Sequence, residues 1–205
     1  MKKINFLYQS IIAYKHKIFK IISYEIFYSI INSKNGKSFK PPHIHPCPYY
    51  FNHKISQFIN KNRNGIKKVI ELGCGFGRIT NFLSNKTQAK IYGYELDKEA
   101  YQIAKKNKSP RLIIKQGDIL KLNFRNLKFD TYILNNPFYL PTKKNLTLYE
   151  KLIKKIYISK KKSKKKYYII AVNFLNKKHT AIFKNYKLVK TVEAGLERNV
   201  NIYRN

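Results

Sequence analysis

The stretch VIELGCGFGRIT, residues 69–80, constrains the fold more than any other part of this 205-residue chain. An apolar run ends in three glycines, Gly73, Gly75 and Gly77, and a helix-forming segment, RITNFLSN, follows at once. Glycine is needed where a backbone turns tightly or must let a ligand approach closely, so the pattern predicts strand, turn and helix with a ligand over the turn. The spacing is GxGxG, whereas a dinucleotide fingerprint requires GxGxxG, and position 78 is Arg78. Glu71 separates the two readings further. A carboxylate beside the turn repels a pyrophosphate but suits a ligand carrying an ammonium and a sulfonium.

From Lys67 onward, short apolar strands alternate with amphipathic helices. KKVIEL, AKIYGYEL, RLIIKQGD, FDTYILN and YYIIAVNFL read as strands; RITNFLSN, DKEAYQIAKKN and LTLYEKLIKKIYI read as helices. That order predicts an α/β domain built on a parallel, doubly wound sheet, with its ligand at the C-terminal ends of the strands. The tail, YKLVKTVEAGLERNVNIYR, reads as two strands joined by a turn at Gly195. Acidic residues stand where such a ligand needs them. Glu95 ends the second strand, 20 residues after Gly75, where a carboxylate meets ribose hydroxyls. Asp118 ends the third strand, placed to accept a hydrogen bond from an adenine amino group. A ligand with an ammonium, a sulfonium, a ribose and an adenine is S-adenosylmethionine.

ELGCGFG, the strand-end Glu95, QGD, a strand-end NNPF and the closing hairpin together resemble the class I S-adenosylmethionine-dependent methyltransferases. The resemblance spans roughly Lys67 to Arg204. It implies a Rossmann-like seven-stranded sheet with a terminal β-hairpin, in which Gly73, Gly75 and Gly77 cradle the methionine part of the cofactor. It further implies that Glu71 reaches the cofactor's ammonium, Glu95 holds its ribose, and Asp118 with Ile119 contacts its adenine.

The second informative stretch is LNNPFYLPT, residues 134–142, at the end of the fourth strand. Methyl transfer from a sulfonium needs proximity, alignment and an available lone pair on the acceptor. An amide or adenine nitrogen is a poor nucleophile because its lone pair is delocalised. An Asn oxygen accepting from its NH2 group steers it toward sp3 character, while an aromatic ring stacks on the planar acceptor. Asn135, Asn136, Pro137 and Phe138 are therefore the candidate catalytic residues, with Tyr139 as an alternative stacking ring. Read as Asn135-Asn136-Pro137-Phe138, the loop resembles that of the rRNA adenine dimethyltransferases, which carry Ile or Leu at the second position. Read as Asn136-Pro137-Phe138, it resembles a small bacterial NPF-motif methyltransferase family of uncertain substrate.

Residues 1–35 carry apolar positions at helical spacing, and KPPHIHPCPYY follows as an extended, proline-directed loop. The expected organisation is thus a helical N-terminal extension with its loop over 1–50 and a methyltransferase domain over 51–205. The longest apolar stretch, residues 18–31, contains Lys20 and Glu25 and is too short and interrupted to span a bilayer. His43, His45 and Cys47 form HxHxC, but no further paired ligands accompany them, so no metal site is expected. The loop is expected to cover the cofactor, with Tyr49 or Tyr50 packing over it. Cys74, inside the glycine turn, reads as a small spacer. Two cysteines are too few for a disulfide framework, which points to a cytoplasmic protein.

The net charge is +33, and the run at Lys160–Lys166 holds six lysines in seven positions. Such a field attracts polyanions, which makes RNA the candidate partner. Lysines nevertheless outnumber arginines 37 to 6, whereas a selected phosphate-reading surface more often includes Arg forks, and AT-rich coding alone favours Lys, so the charge supports the RNA reading without deciding it. The function expected is methyl transfer from S-adenosylmethionine to a nitrogen on RNA, protein or a small molecule. The alternative is a non-catalytic basic RNA-binding protein on a degenerate fold of the same kind.

Overall fold

A computed structural model of the chain describes residues 47–138, 143–161, 165–172, 181–193 and 199–205. The expected N-terminal helices, His43, His45, Tyr139, Gly195 and part of the lysine run lie outside these residues.

The described chain begins with helix α1 (Tyr49–Lys61), which starts directly after Pro48 and buries Phe51, Ile55, Phe58 and Ile59 at helical spacing. Strand β1 (Lys68–Leu72) leads through the glycine turn into α2 (Arg78–Lys86). Strand β2 (Lys90–Glu95) leads into α3 (Lys98–Lys105), whose N-cap, Asp97, accepts a hydrogen bond from the Ala100 amide at 2.7 Å. β3 (Leu112–Gln116), β4 (Thr131–Asn135), the long helix α4 (Lys143–Lys160) and β5 (Tyr168–Val172) follow. β6 (Lys187–Glu193) and β7 (Asn199–Arg204) close the chain.

The seven strands form one sheet in the order β3-β2-β1-β4-β5-β7-β6. β1 to β5 run parallel, and β7 inserts antiparallel between β5 and β6. The doubly wound sheet and its terminal hairpin are therefore as the sequence predicts. Helices cover both faces, so the central strands are apolar throughout yet still divide their side chains with period two. Val69, Ile133, Ile170 and Val172 join one core with Ile55 and Leu83, while Ile70, Leu72, Tyr132, Leu134 and Ile169 join the other with Leu152 and Ile156.

Buried Asp130 ties the sheet together at the end remote from the glycine turn. Its Oδ2 accepts from the Lys67 and Lys68 amides, each at 2.8 Å, and its Oδ1 pairs with Lys165 Nζ at 2.6 Å. This fastens the starts of β1, β4 and β5. The strand order reverses between β1 and β4, so a crevice opens outside their C-terminal ends, where open α/β sheets bind ligands.

Candidate active site

Four strand ends meet at that crevice. Gly73, Gly75 and Gly77 have φ of 76°, 53° and 77°, the left-handed region that glycine enters without steric cost. The turn is fixed from the neighbouring strand: the Gly73 and Cys74 amides both donate to the Tyr94 carbonyl, at 2.9 and 3.0 Å. Cys74 points its thiol at Gly93, where an added Cβ would lie 2.8 Å from the sulfur. It is buried, and burial pushes its thiol well above the ordinary range, so it fills space as the spacer the sequence suggests.

Glu95 receives the Gly75 amide at Oε2 (2.7 Å) and the Asp97 amide at Oε1 (2.9 Å). Each oxygen keeps a second lone pair for a ligand hydroxyl. Glu71 is 1% exposed in the middle of the sheet. It accepts a hydrogen bond from the Thr80 amide at the start of α2, but its Oε2 is buried with no hydrogen-bond partner. Burial pushes its carboxyl well above the usual carboxylate range, the Thr80 amide opposes this, and Glu95 adds to it. A buried, unpartnered carboxylate oxygen beside a glycine turn is complementary to a cationic group, so these residues fit an ammonium-bearing ligand.

Asp118 Oδ1 accepts from the Leu120 amide at 2.8 Å, which fixes the turn after β3 and leaves its other oxygen for a ligand. Ile119 is buried beside it. Leu96, directly after Glu95, is 66% exposed. Sequence reasoning missed it, because a lone leucine after a strand looks like any other apolar residue. It is an exposed apolar side chain beside the Glu95 carboxylate.

The β4 loop reaches the glycine turn directly. A Cβ placed on Gly73 would lie 2.8 Å from Pro137 Cβ and 3.0 Å from Pro137 Cα, so glycine is required for the two loops to touch. Asn135 Oδ1 is buried without a partner. Asn136 adopts φ 50°, and its Oδ1 accepts from the Tyr149 hydroxyl at 2.9 Å. Phe138 is half-buried, its ring edge-on to Tyr149 at 5.0 Å and 90°. The structure thus brings the expected cofactor residues and the expected catalytic loop to one place. Tyr149 is a second residue the sequence did not single out, because nothing in a helical apolar stripe tells which tyrosine turns its hydroxyl to a loop.

Tyr49 is buried, packed on Phe82 at 6.0 Å and under the Arg78 guanidinium at 4.5 Å. Cys47 is also buried, and its carbonyl accepts from Arg78 Nη1 at 3.2 Å. This part of the loop therefore anchors the start of α2. Among the described residues, no group of three or more His, Cys, Asp or Glu could hold a metal ion, and no helix is long and apolar enough to cross a membrane.

Residues 69–157 match the model of a family described as a methyltransferase domain. The chain is 40% identical over 78 residues to ribosomal RNA small subunit methyltransferase A of Mesomycoplasma hyopneumoniae strain 232, covering 38% of this chain and 30% of that protein. The chain thus spans less than a third of the curated relatives it matches. Among solved structures it resembles an RNA methyltransferase from Salinibacter ruber in complex with S-adenosyl-L-homocysteine, at TM-score 0.56 and 18% identity over 78% of this chain and 92% of that one. It also resembles magnesium protoporphyrin IX methyltransferase from Synechocystis PCC 6803 with bound SAM, at TM-score 0.58 and 13% identity over 92% and 95% of the two chains. At these identities the structural likeness establishes the fold.

Proposed function

We propose that this chain is a class I methyltransferase that transfers a methyl group from S-adenosylmethionine to a nitrogen, with RNA as the favoured acceptor; its fold and the methyltransferase-domain match over residues 69–157 support this. The contact between Gly73 and Pro137 carries this reading, because it joins the turn suited to the cofactor to the loop suited to the acceptor. The match to an rRNA methyltransferase and the charge of +33 support RNA over protein or a small molecule.

The residues present fit the cofactor part by part. Glu71 Oε2 would receive the ammonium, the positive-φ glycines would let the methionine part approach the backbone, Glu95 would hold the ribose hydroxyls, and Leu96, Asp118 and Ile119 would frame the adenine. When bound, S-adenosylmethionine supplies a methyl on a sulfonium: the S–C electron pair stays with sulfur as the N–C bond forms, and the displaced N–H proton leaves to water. The chain's own task is to hold the acceptor in line. Asn135, at the strand end, accepts from its NH2 group, Pro137 fixes the loop, and Phe138 supplies an aromatic edge.

Cofactor binding should depend on pH through Glu71. A carboxyl whose folded pKa is raised costs the free chain stability as pH climbs from the ordinary carboxylate range to its own titration. A bound ammonium requires the carboxylate form. Affinity for S-adenosylmethionine should therefore rise with pH across that window, below the pH where the ligand's own amine deprotonates, with proton release on binding. Calorimetry in buffers of differing ionisation enthalpy reads the proton, and Glu71→Gln should flatten the profile. An equally steep profile in that variant would remove Glu71 from the ammonium site.

The acceptor is tested by incubating the chain with methyl-labelled S-adenosylmethionine and separated RNA, protein and small-molecule fractions from cells lacking it. Label in RNA, lost in Asn135→Ala, is the expected outcome. Label confined to protein or small molecules would overturn the RNA assignment. RNA binding without cofactor binding would favour a non-catalytic RNA-binding protein.

A further inference from the structure

Tyr149 lies 6% exposed on α4, and its hydroxyl is turned toward the β4 loop. That hydroxyl donates to Asn136 Oδ1 at 2.9 Å and accepts from the Phe138 amide. Its ring meets Phe138 edge-on at 5.0 Å. One side chain therefore grips the loop at a side-chain oxygen, a backbone N–H and an aromatic ring. Between these points the backbone is strained: Asn136 is the one non-glycine residue among those described with positive φ. Such a conformation persists only where its surroundings over-determine it. Gly73 against Pro137 supplies the opposing wall, so the loop is held from both sides.

The two asparagines are not equivalent in this arrangement. Asn136 Oδ1 is engaged by Tyr149, whereas Asn135 Oδ1 is buried and has no hydrogen-bond partner. An unmet buried acceptor is costly, and a donor brought by a bound molecule removes the cost.

We infer that Tyr149 is a positioning residue that locks Asn136 and Phe138, so that Asn135 presents the oxygen that receives the acceptor's NH2 group. This rests on the nitrogen-methylation reading for Asn135, but the lock itself belongs to the free chain. Burial keeps the Tyr149 hydroxyl protonated and able to donate throughout the physiological range.

The test uses the full chain with Tyr149→Phe, which removes the hydroxyl and keeps the ring, together with Asn136→Ala, Asn135→Ala and the Tyr149→Phe/Asn136→Ala double variant. Amide hydrogen exchange at Phe138 in the free chain should quicken on the order of tenfold or more in Tyr149→Phe. Affinity for S-adenosylmethionine should stay within about twofold, because the turn is untouched. Single-turnover methyl transfer to total RNA from cells lacking the chain should slow by about 100-fold with the KM for S-adenosylmethionine unchanged. The double variant should be no slower than the worse single variant, since both remove one shared bond. Asn135→Ala should lose transfer while leaving Phe138 exchange intact.

Unchanged Phe138 exchange in Tyr149→Phe, or multiplying losses in the double variant, would overturn the lock. Loss of transfer in Asn136→Ala with Phe138 exchange unaltered would make Asn136 the acceptor-binding residue instead. If the wild-type chain labels no RNA, the acceptor assignment fails, and the exchange measurement still decides the lock.

Discussion

Gly73→Ala should lower the methyl-transfer rate by about 100-fold or more, a large effect for one added methyl. Two costs act together. At φ 76° any side chain is strained, by about 1–2 kcal/mol. The new Cβ would also fall 2.8 Å from Pro137 Cβ and 3.0 Å from Pro137 Cα, distances that force one loop away from the other. The chain has no cheap way to yield, because Tyr94 holds the turn through two amides and Tyr149 holds the Pro137 loop. A displacement of about 1 Å between donor and acceptor sites is enough for a loss of this size. Gly65→Ala is the matched control: its nearest neighbour would be the Asn62 carbonyl at 3.8 Å, an ordinary contact, so rate and thermal midpoint should barely move. Equal activity of the two variants would show that the contact between the loops is not needed for transfer.

Glu95→Ala should weaken S-adenosylmethionine binding by about 100-fold or more. The carboxylate holds the Gly75 amide at 2.7 Å and the Asp97 amide at 2.9 Å, so removing it loosens the glycine turn as well as deleting the proposed ribose contact. Hydrogen bonds to a charged group contribute about 1.5–3 kcal/mol each, and about 1.4 kcal/mol is tenfold in affinity. Losing two proposed hydrogen bonds to the ribose alone accounts for the expected change. Glu95→Gln, which keeps the shape and one acceptor oxygen, should fall between the wild type and Glu95→Ala. Calorimetric titration of the three proteins measures this order, and an undiminished affinity in Glu95→Ala would place the ribose elsewhere.

The parts of this molecule that were legible in the sequence are those whose physical cause is local. Val69 to Leu72 reads as a buried strand because both faces of the sheet are covered, and the three glycines read as a turn because only they enter positive φ freely. Glu71 stood out for the same reason, since an acid in an apolar strand has no structural excuse. The tail YKLVKTVEAGLERNVNIYR reads as two strands joined by a turn, and the structure pairs those strands as β6 and β7.

What escaped the sequence depends on relations between distant elements. The division of labour between Asn135 and Asn136 hangs on a hydroxyl 13 residues away, brought near by the rotation of α4. Tyr49 looked available to cover a ligand, but the register of α1 turns it onto Phe82 and Arg78. Leu96 becomes notable only once its exposure beside Glu95 is known. The link from Asp130 to the Lys67 and Lys68 amides spans more than 60 residues and follows from strand order alone.

If the crevice formed by Glu71, the glycine turn and Glu95 is the cofactor site, isothermal titration of the folded wild-type chain with S-adenosylmethionine reads it without any acceptor. Saturable one-to-one binding that weakens by about 100-fold in Glu95→Ala is expected. No binding to the folded wild-type chain at millimolar ligand would mean that this crevice is not a site for S-adenosylmethionine.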